Sequence, residues 1–276
     1  MKAFFIRSPI VAYYVLTLLF SWGYWLSLLT QGARVEPGSV ATQFPGLMGP
    51  LIAALIVTWV VFGGAGVADL VSRAVRLPIP PLRSVLLALS PLLVGTVTFA
   101  VLWMLGQPLP SLQKFAIFPG VPSGLSVLAV FGVVLIGGFG EEVGWRGFAM
   151  QHLVGRLGRF RATLIVAGLW AVWHTPLFFL QTNMHALLGS VLLGWVFSLF
   201  CGAFVLSQLY LSCSHSILVV SVWHATFNMM TGTDAGAGTP AAVVSTIVMI
   251  WGVAVALWWW RTDCAALKSG ASILAG

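Results

Sequence analysis

The sequence predicts an all-α integral membrane protein: one bundle of about eight membrane-crossing helices with both termini cytoplasmic. Three observations carry this. Of the 276 residues, 59% are hydrophobic and only 7% charged, against about 25% charged in soluble domains, too few to cover a water-facing surface. Apolar runs close to the roughly 20 residues that a helix needs to cross the hydrocarbon core recur along the chain. Thirteen Trp and thirty Gly suit a bilayer, where Trp gathers at interfaces and Gly is commoner in helices than in water.

Eight candidate spans follow in order: Ile10 to Leu29, Leu47 to Gly63, Ser84 to Leu105, Pro122 to Glu142, Ala162 to Gln181, Ala186 to Tyr210, Ser214 to Met230 and Ala241 to Trp260. The first resembles a secretory leader because Lys2 and Arg7 precede it. It is longer than the roughly 7–15 residues of a leader's apolar core, and no small-x-small cleavage site follows, so it reads as a retained helix. Turn-forming or charged residues fill the gaps, among them Gln31 to Pro45 and the run Leu77-Pro78-Ile79-Pro80-Pro81. The sixth and seventh spans are nearly continuous. Residues 1–276 read as one transmembrane domain without internal repeats, with a motif-bearing core at about 122–230 and a short disordered tail after Lys268.

Charge gives an independent check. Eight spans with a cytoplasmic N-terminus put Lys2, Arg7, Arg73, Arg76, Arg83, Arg146, Arg156, Arg159, Arg161, Arg261 and Lys268 on one side, and Arg34 and Lys114 on the other. This eleven-to-two split is what the positive-inside rule requires. The net charge of +7 is dispersed between apolar runs, which argues against nucleic acid and for anionic lipid as a partner. Cys201, Cys213 and Cys264 show no paired spacing and read as small packing residues.

Ionisable groups at membrane depth cost at least about 2.5–3.5 kcal/mol each on insertion scales and so mark function. Three clusters stand out. In Glu141-Glu142-Val143-Gly144-Trp145-Arg146, at the cytoplasmic end of the fourth span, helical spacing puts Glu142 and Arg146 on one face, four residues apart. Glu141 lies about 100° round the helix and is the carboxylate left for chemistry. In Trp170-Ala171-Val172-Trp173-His174-Thr175-Pro176, His174 sits among apolar residues, and Pro176 frees backbone groups beside it. In the seventh span His224 and Asn228 are four apart and share a helix face. Taken singly, the first cluster could be ordinary juxtamembrane charges, the second a packed His and the third interhelical glue. His152, His185 and His215 can reach an interface and read as ordinary polar residues.

Taken together, Glu-Glu-x-x-x-Arg at 141–146, an aromatic segment ending in His174, and His224-x-x-x-Asn228, on three successive motif-bearing apolar segments, resemble the CPBP (Abi) intramembrane proteases. That family includes the type II CAAX prenyl endopeptidases and bacteriocin-processing or self-immunity proteins. One position departs: the family's Phe-x-x-x-His is Trp170-x-x-x-His174 here.

The resemblance implies an intramembrane peptidase acting on a prenylated or membrane-embedded peptide. In this reading Glu141 is general base on a water shared with His174. Desolvation in an apolar bundle makes such a carboxylate a stronger base. His224 and Asn228 donate to the oxyanion, Glu142 and Arg146 fix the helix, and Trp170 and Trp173 meet substrate. No cofactor is favoured. The open alternative is zinc on Glu141, His174 and His224, since two His and a carboxylate form a known catalytic set; Asn is a poor ligand, however, and no His-Glu-x-x-His helix is present.

Substrate is expected to enter near the cytoplasmic face. There Arg73, Arg76, Arg83, Arg156, Arg159 and Arg161 act as topology determinants or attract headgroups or a substrate carboxylate. The expected location is the plasma membrane of a prokaryote. Two other functional classes remain: a catalytically silent immunity or scaffold protein, and a proton- or ion-coupled transporter, against which the lack of repeats counts. The oligomeric state is left open.

Overall fold

The computed structural model of the chain describes residues 2–78 and 81–269. Ile79 and Pro80 of the proline-rich separator, and the expected tail beyond Ser269, lie outside the described residues. Regular structure among the described residues is helical, apart from isolated bridges joining Val35 to Gln181 and Pro37 to Pro119.

The principal helices are α1 (Pro9–Thr30), α2 (Gly49–Ala74), α3 (Pro81–Ala88), α4 (Ser90–Met104), α5 (Val127–Glu142), a π-helical stretch Val143–Met150, α6 (Gln151–Trp173), α7 (Leu192–Ser212), α8 (Ile217–Gly232) and α9 (Thr239–Ser269). Their starts follow local chemistry. Pro occupies the first turn of α1, α2 and α4, where its missing N–H costs nothing. Ser126 and Ser216 cap α5 and α8, their hydroxyls accepting the N–H groups of Ala129 and Val219.

By length and composition, five helical stretches can cross a membrane, or six if the α3–α4 pair, bent by 54°, is one broken span. This is fewer than eight for two reasons. The expected fourth and fifth spans lie within one helical stretch, Val127–Leu180, interrupted at Gly158 with φ 78° and ψ 170°, a backbone setting that favours glycine. The seventh, α8, has only 16 residues. The helices pack as a bundle in which α1 lies on α2, α5 on α8 and α7 on α9. At the last contact a Cβ on Gly252 would stand 2.4 Å from the Cys201 carbonyl oxygen, so the glycine permits close backbone approach. Leu19, Trp59, Leu128 and Leu193 point outward, as lipid-facing side chains do.

The turns between helices gather into two groups. At one end Val35 N–H donates to the Leu180 carbonyl, Gly120 N–H to Glu36, and Asp234 N–H to Ile117. The loops at 31–43, 112–121, 180–185 and 233–236 are thereby woven together. At the other, Arg76 Nη1 donates to the Ser214 carbonyl at 2.9 Å, and Asp263 accepts from Arg159 and from the Phe160 N–H.

Three expectations about surface groups are corrected. Arg146, counted with the cytoplasmic charges, is wholly buried. Arg73 and Arg159, read as topology determinants or as charges for headgroups, are committed inside the protein, against the second reading: Arg73 to Asp69, the Gly147 carbonyl and Tyr210, and Arg159 to Asp263. Among the cysteines, Cys201 and Cys213 are buried and unpaired, but Cys264 is exposed and does not pack.

Candidate active site

Glu141 of α5, Trp170 of α6, His174 just beyond it, and His224 and Asn228 of α8 line one cavity of about 440 Å³. Much of its wall is apolar, from Phe44, Leu47, Leu177, Leu199 and Phe227. Glycines let the elements close on one another. A Cβ on Gly138 would lie 3.5 Å from the His224 ring, and one on Gly140 would lie 3.0 Å from the Leu47 carbonyl oxygen. The last turns of α5 are thus pressed between α8 and the segment leading into α2.

The two adjacent glutamates have different surroundings. Glu142 and Arg146 are fully buried. Glu142 Oε1 accepts from Arg146 Nη1 at 2.8 Å and from His224 Nδ1 at 2.9 Å, and the guanidinium carbon sits 4.7 Å from the Trp170 ring centroid. A buried charge of this kind is tolerable only when paired and hydrogen-bonded. Glu141 is nearly buried but lines the cavity, and its Oε2 accepts the Trp170 indole N–H at 2.8 Å. Its other oxygen is the one not held by the indole.

The two histidines are oriented through their δ nitrogens. His174 Nδ1 lies 2.7 Å from the Trp170 carbonyl oxygen. A carbonyl only accepts, so Nδ1 carries the hydrogen and Nε2 is left as a base. His224 spends Nδ1 on Glu142, which leaves Nε2, with the Asn228 carboxamide, for anything in the cavity. Trp195 and Trp173 pack edge-on against His174, at 5.3 and 4.8 Å between ring centroids.

Sequence spacing missed the π-helical turn at Val143–Met150 and what holds it. Such turns often occur at functional sites. Its Gly147 carbonyl accepts from Arg73 Nη1 at 2.7 Å, and the same nitrogen donates to the Tyr210 hydroxyl at 2.7 Å. Gly144 gives it room: a Cβ there would fall 2.4 Å from Pro50 Cβ and 2.5 Å from the Tyr13 hydroxyl. The five glycines between 137 and 147, Gly137, Gly138, Gly140, Gly144 and Gly147, are the available signal.

Three placements differ from expectation. The glutamate pair is not at a helix end, because the chain continues helically through the π turn to the break at Gly158. The cavity is lined at one end by Gln43, Pro119, Gln181, Asn183 and Thr231, which belong to or adjoin the loops away from the arginine-rich turns. Trp173 does not line it but is buried against Trp25 and Trp145, so it braces His174 from behind. Among the described residues, no three His, Cys, Asp or Glu side chains are grouped closely enough to hold a metal ion. His152 and His185 are held by the carbonyls of Phe148 and Phe178, and His215 packs edge-on against Tyr210.

Residues 123–230 match the family model described as type II CAAX prenyl endopeptidase Rce1-like. This stretch contains the whole cluster from Glu141 to Asn228. The chain is also similar to a protein of Methanococcus maripaludis named CAAX prenyl protease 2, with 22% identity over 235 residues, covering 83% of this chain and 82% of that protein. With a multi-pass helical bundle around it, the matched segment supports the likeness of this chain to the Rce1-like (CPBP) family of CAAX-type intramembrane proteases.

Proposed function

We propose that the protein is a metal-independent endopeptidase that cleaves an apolar peptide within the membrane by glutamate-activated water, releasing a short C-terminal segment of a prenylated chain or processing a membrane-embedded peptide. The observation that carries this is the convergence of Glu141 and His174, from separate helices, on one cavity with His224 and Asn228. Glu141 takes a proton as the water oxygen attacks the carbonyl carbon. The carbonyl oxygen becomes an oxyanion that accepts from the Asn228 amide and from the Nε2–H of His224, whose ring carries both protons beside the Glu142 carboxylate. When the intermediate collapses, the C–N bond breaks and the proton passes to the leaving amine.

Trp170 aims the Glu141 carboxylate, and its carbonyl fixes the His174 tautomer. Glu142 and Arg146 act by holding His224 and the helix, not by touching substrate. Both termini are cytoplasmic in this proposal, and the plasma membrane of a prokaryote is the site of action. The test is incubation of the purified full chain with a farnesylated CAAX peptide, before and after exhaustive treatment with a strong zinc chelator. Release of the last three residues in both samples is expected. No release at all would refute the peptidase reading, and release abolished by the chelator and restored by zinc would refute metal independence.

A further inference from the structure

A second space, almost wholly apolar and of about 560 Å³, lies between α6, α7 and α9. Leu193, Phe197 and Phe204 of α7 line it, with Leu164 of α6 and Leu257 and Trp260 of α9. Leu193, Phe197, Leu257 and Trp260 are exposed, so this is a groove on the outer surface of the bundle. The catalytic cavity takes Trp195, Ser198, Leu199 and Gly202 from a different face of α7. From Leu193 to Phe204 the helix advances about 16 Å. That is close to half of the roughly 30 Å hydrocarbon core, the depth of one leaflet.

One end of the groove is marked by charge. There the Phe160 ring lies 5.5 Å from that of Phe204, and the Phe160 N–H donates to Asp263 at 2.9 Å. Trp258, Trp259 and Trp260 close the apolar run of α9 at the same place, as tryptophans do at headgroup level. The local acid, Asp263, is buried and paired with Arg159. Arg161 and Arg261 are exposed, and neither has a hydrogen-bond or ion-pair partner among the described residues. Helical spacing sets both beside the groove. Arg261 continues the four-residue row of the lining residues Val253 and Leu257, and Arg161 stands three before Leu164.

We propose that this groove binds one anionic phospholipid, an acyl chain lying along α7 and the phosphate held by Arg161 and Arg261. The groove supplies apolar wall over the depth of a leaflet, and the two guanidinium groups supply the bidentate donors that suit a phosphate. A zwitterionic lipid carries its own cation to the same two arginines and is disfavoured there. A second copy of the chain is a poorer occupant: its net charge is +7, and it brings no surplus of acid to the cationic end. The site is independent of the peptidase reading, since none of the catalytic side chains lines it.

The test is native mass spectrometry of the full-length protein in detergent, titrated with an equimolar mixture of phosphatidylglycerol and phosphatidylcholine bearing the same acyl chains. The parent should bind a single phosphatidylglycerol in preference to phosphatidylcholine by about tenfold or more, as two nearby arginines imply. Arg161→Gln combined with Arg261→Gln should reduce that preference to about twofold or less. Ala256→Trp fills the groove and keeps both arginines; it should lose the bound lipid whichever headgroup is offered. Thermal melting of each variant establishes that it is folded, and the arginine pair decides the matter alone if Ala256→Trp is not.

A charge control separates a built site from general attraction to a basic surface. Arg7 and Arg83 are exposed on elements that do not line the groove, and Arg7→Gln combined with Arg83→Gln removes the same charge. The preference for phosphatidylglycerol should survive in that variant. Equal binding of the two lipids by the parent overturns the proposal, as does an undiminished preference without Arg161 and Arg261. An equal loss in the Arg7 and Arg83 variant would show surface charge alone, and a folded Ala256→Trp that still binds lipid would remove the acyl chain from the groove. A two-chain species without lipid would make a second copy the occupant.

Discussion

Changing Arg146 to alanine would leave the Glu142 carboxylate inside the bundle without its cation. Both side chains are fully excluded from solvent, and the contact between them is 2.8 Å. Removing one partner of a buried pair costs about 3–5 kcal/mol, because the remaining charge cannot be rehydrated. His224 retains a bond to Glu142 Oε1 at 2.9 Å, which places the expected loss toward the lower bound, about 3 kcal/mol. For a chain of this size each kcal/mol moves the melting temperature by roughly 2–4 °C, so Arg146→Ala should melt about 6–12 °C below the parent in detergent. Replacing both partners, Glu142→Gln with Arg146→Met, removes the stranded charge and should recover part of that loss, since a neutral pair of similar volume is often tolerated. The assay is thermal unfolding of the purified proteins followed by tryptophan fluorescence, arranged as a double-mutant cycle. A fall of less than 2 °C for Arg146→Ala, or a double variant as unstable as the sum of the singles, would show that the pair does not hold this helix.

Three further outcomes follow from the same geometry. Trp170→Phe restores the family's aromatic residue but deletes the indole N–H that binds Glu141 Oε2; peptide cleavage should fall by about tenfold or more, in line with about 1.5–3 kcal/mol for a hydrogen bond to a charged group, with little change in melting. Gly144→Ala places a Cβ against Pro50 and Tyr13, and overpacking of this kind should lower stability by about 1–3 kcal/mol, read as a drop in melting temperature. Arg73→Met leaves the Gly147 carbonyl and Tyr210 hydroxyl without their donor. It should destabilise the chain by about 1–3 kcal/mol while Arg73→Lys restores part of that, and an unchanged melting curve would mean that Arg73 does not support the π turn.

The sequence makes some of this legible and hides the rest for physical reasons. Polar groups are so scarce in the apolar segments that Glu141, His174, His224 and Asn228 can be picked out by chemistry alone, and all four line one cavity. Four-residue spacing also anticipates the pairing of Glu142 with Arg146, although the turn that carries Arg146 is π-helical. Apolar run length is a poorer guide to boundaries. In the sequence the fourth span stops at Glu142 because Arg146 reads as a membrane-edge charge, yet its partner neutralises it and the helix continues. Interhelical bonds such as Arg73 to Gly147, 74 residues apart, and the turning of Trp173 away from the cavity leave no trace in local spacing. The Trp170 substitution is visible in the sequence, but its bond to Glu141 is not.

The most direct test of the central claim is Glu141→Gln, which keeps size and hydrogen bonding while removing the base. The account predicts cleavage of the farnesylated peptide reduced by at least about a hundredfold, as for loss of a general base, with a melting temperature close to that of the parent. Cleavage at the parent rate in a folded Glu141→Gln protein would contradict it.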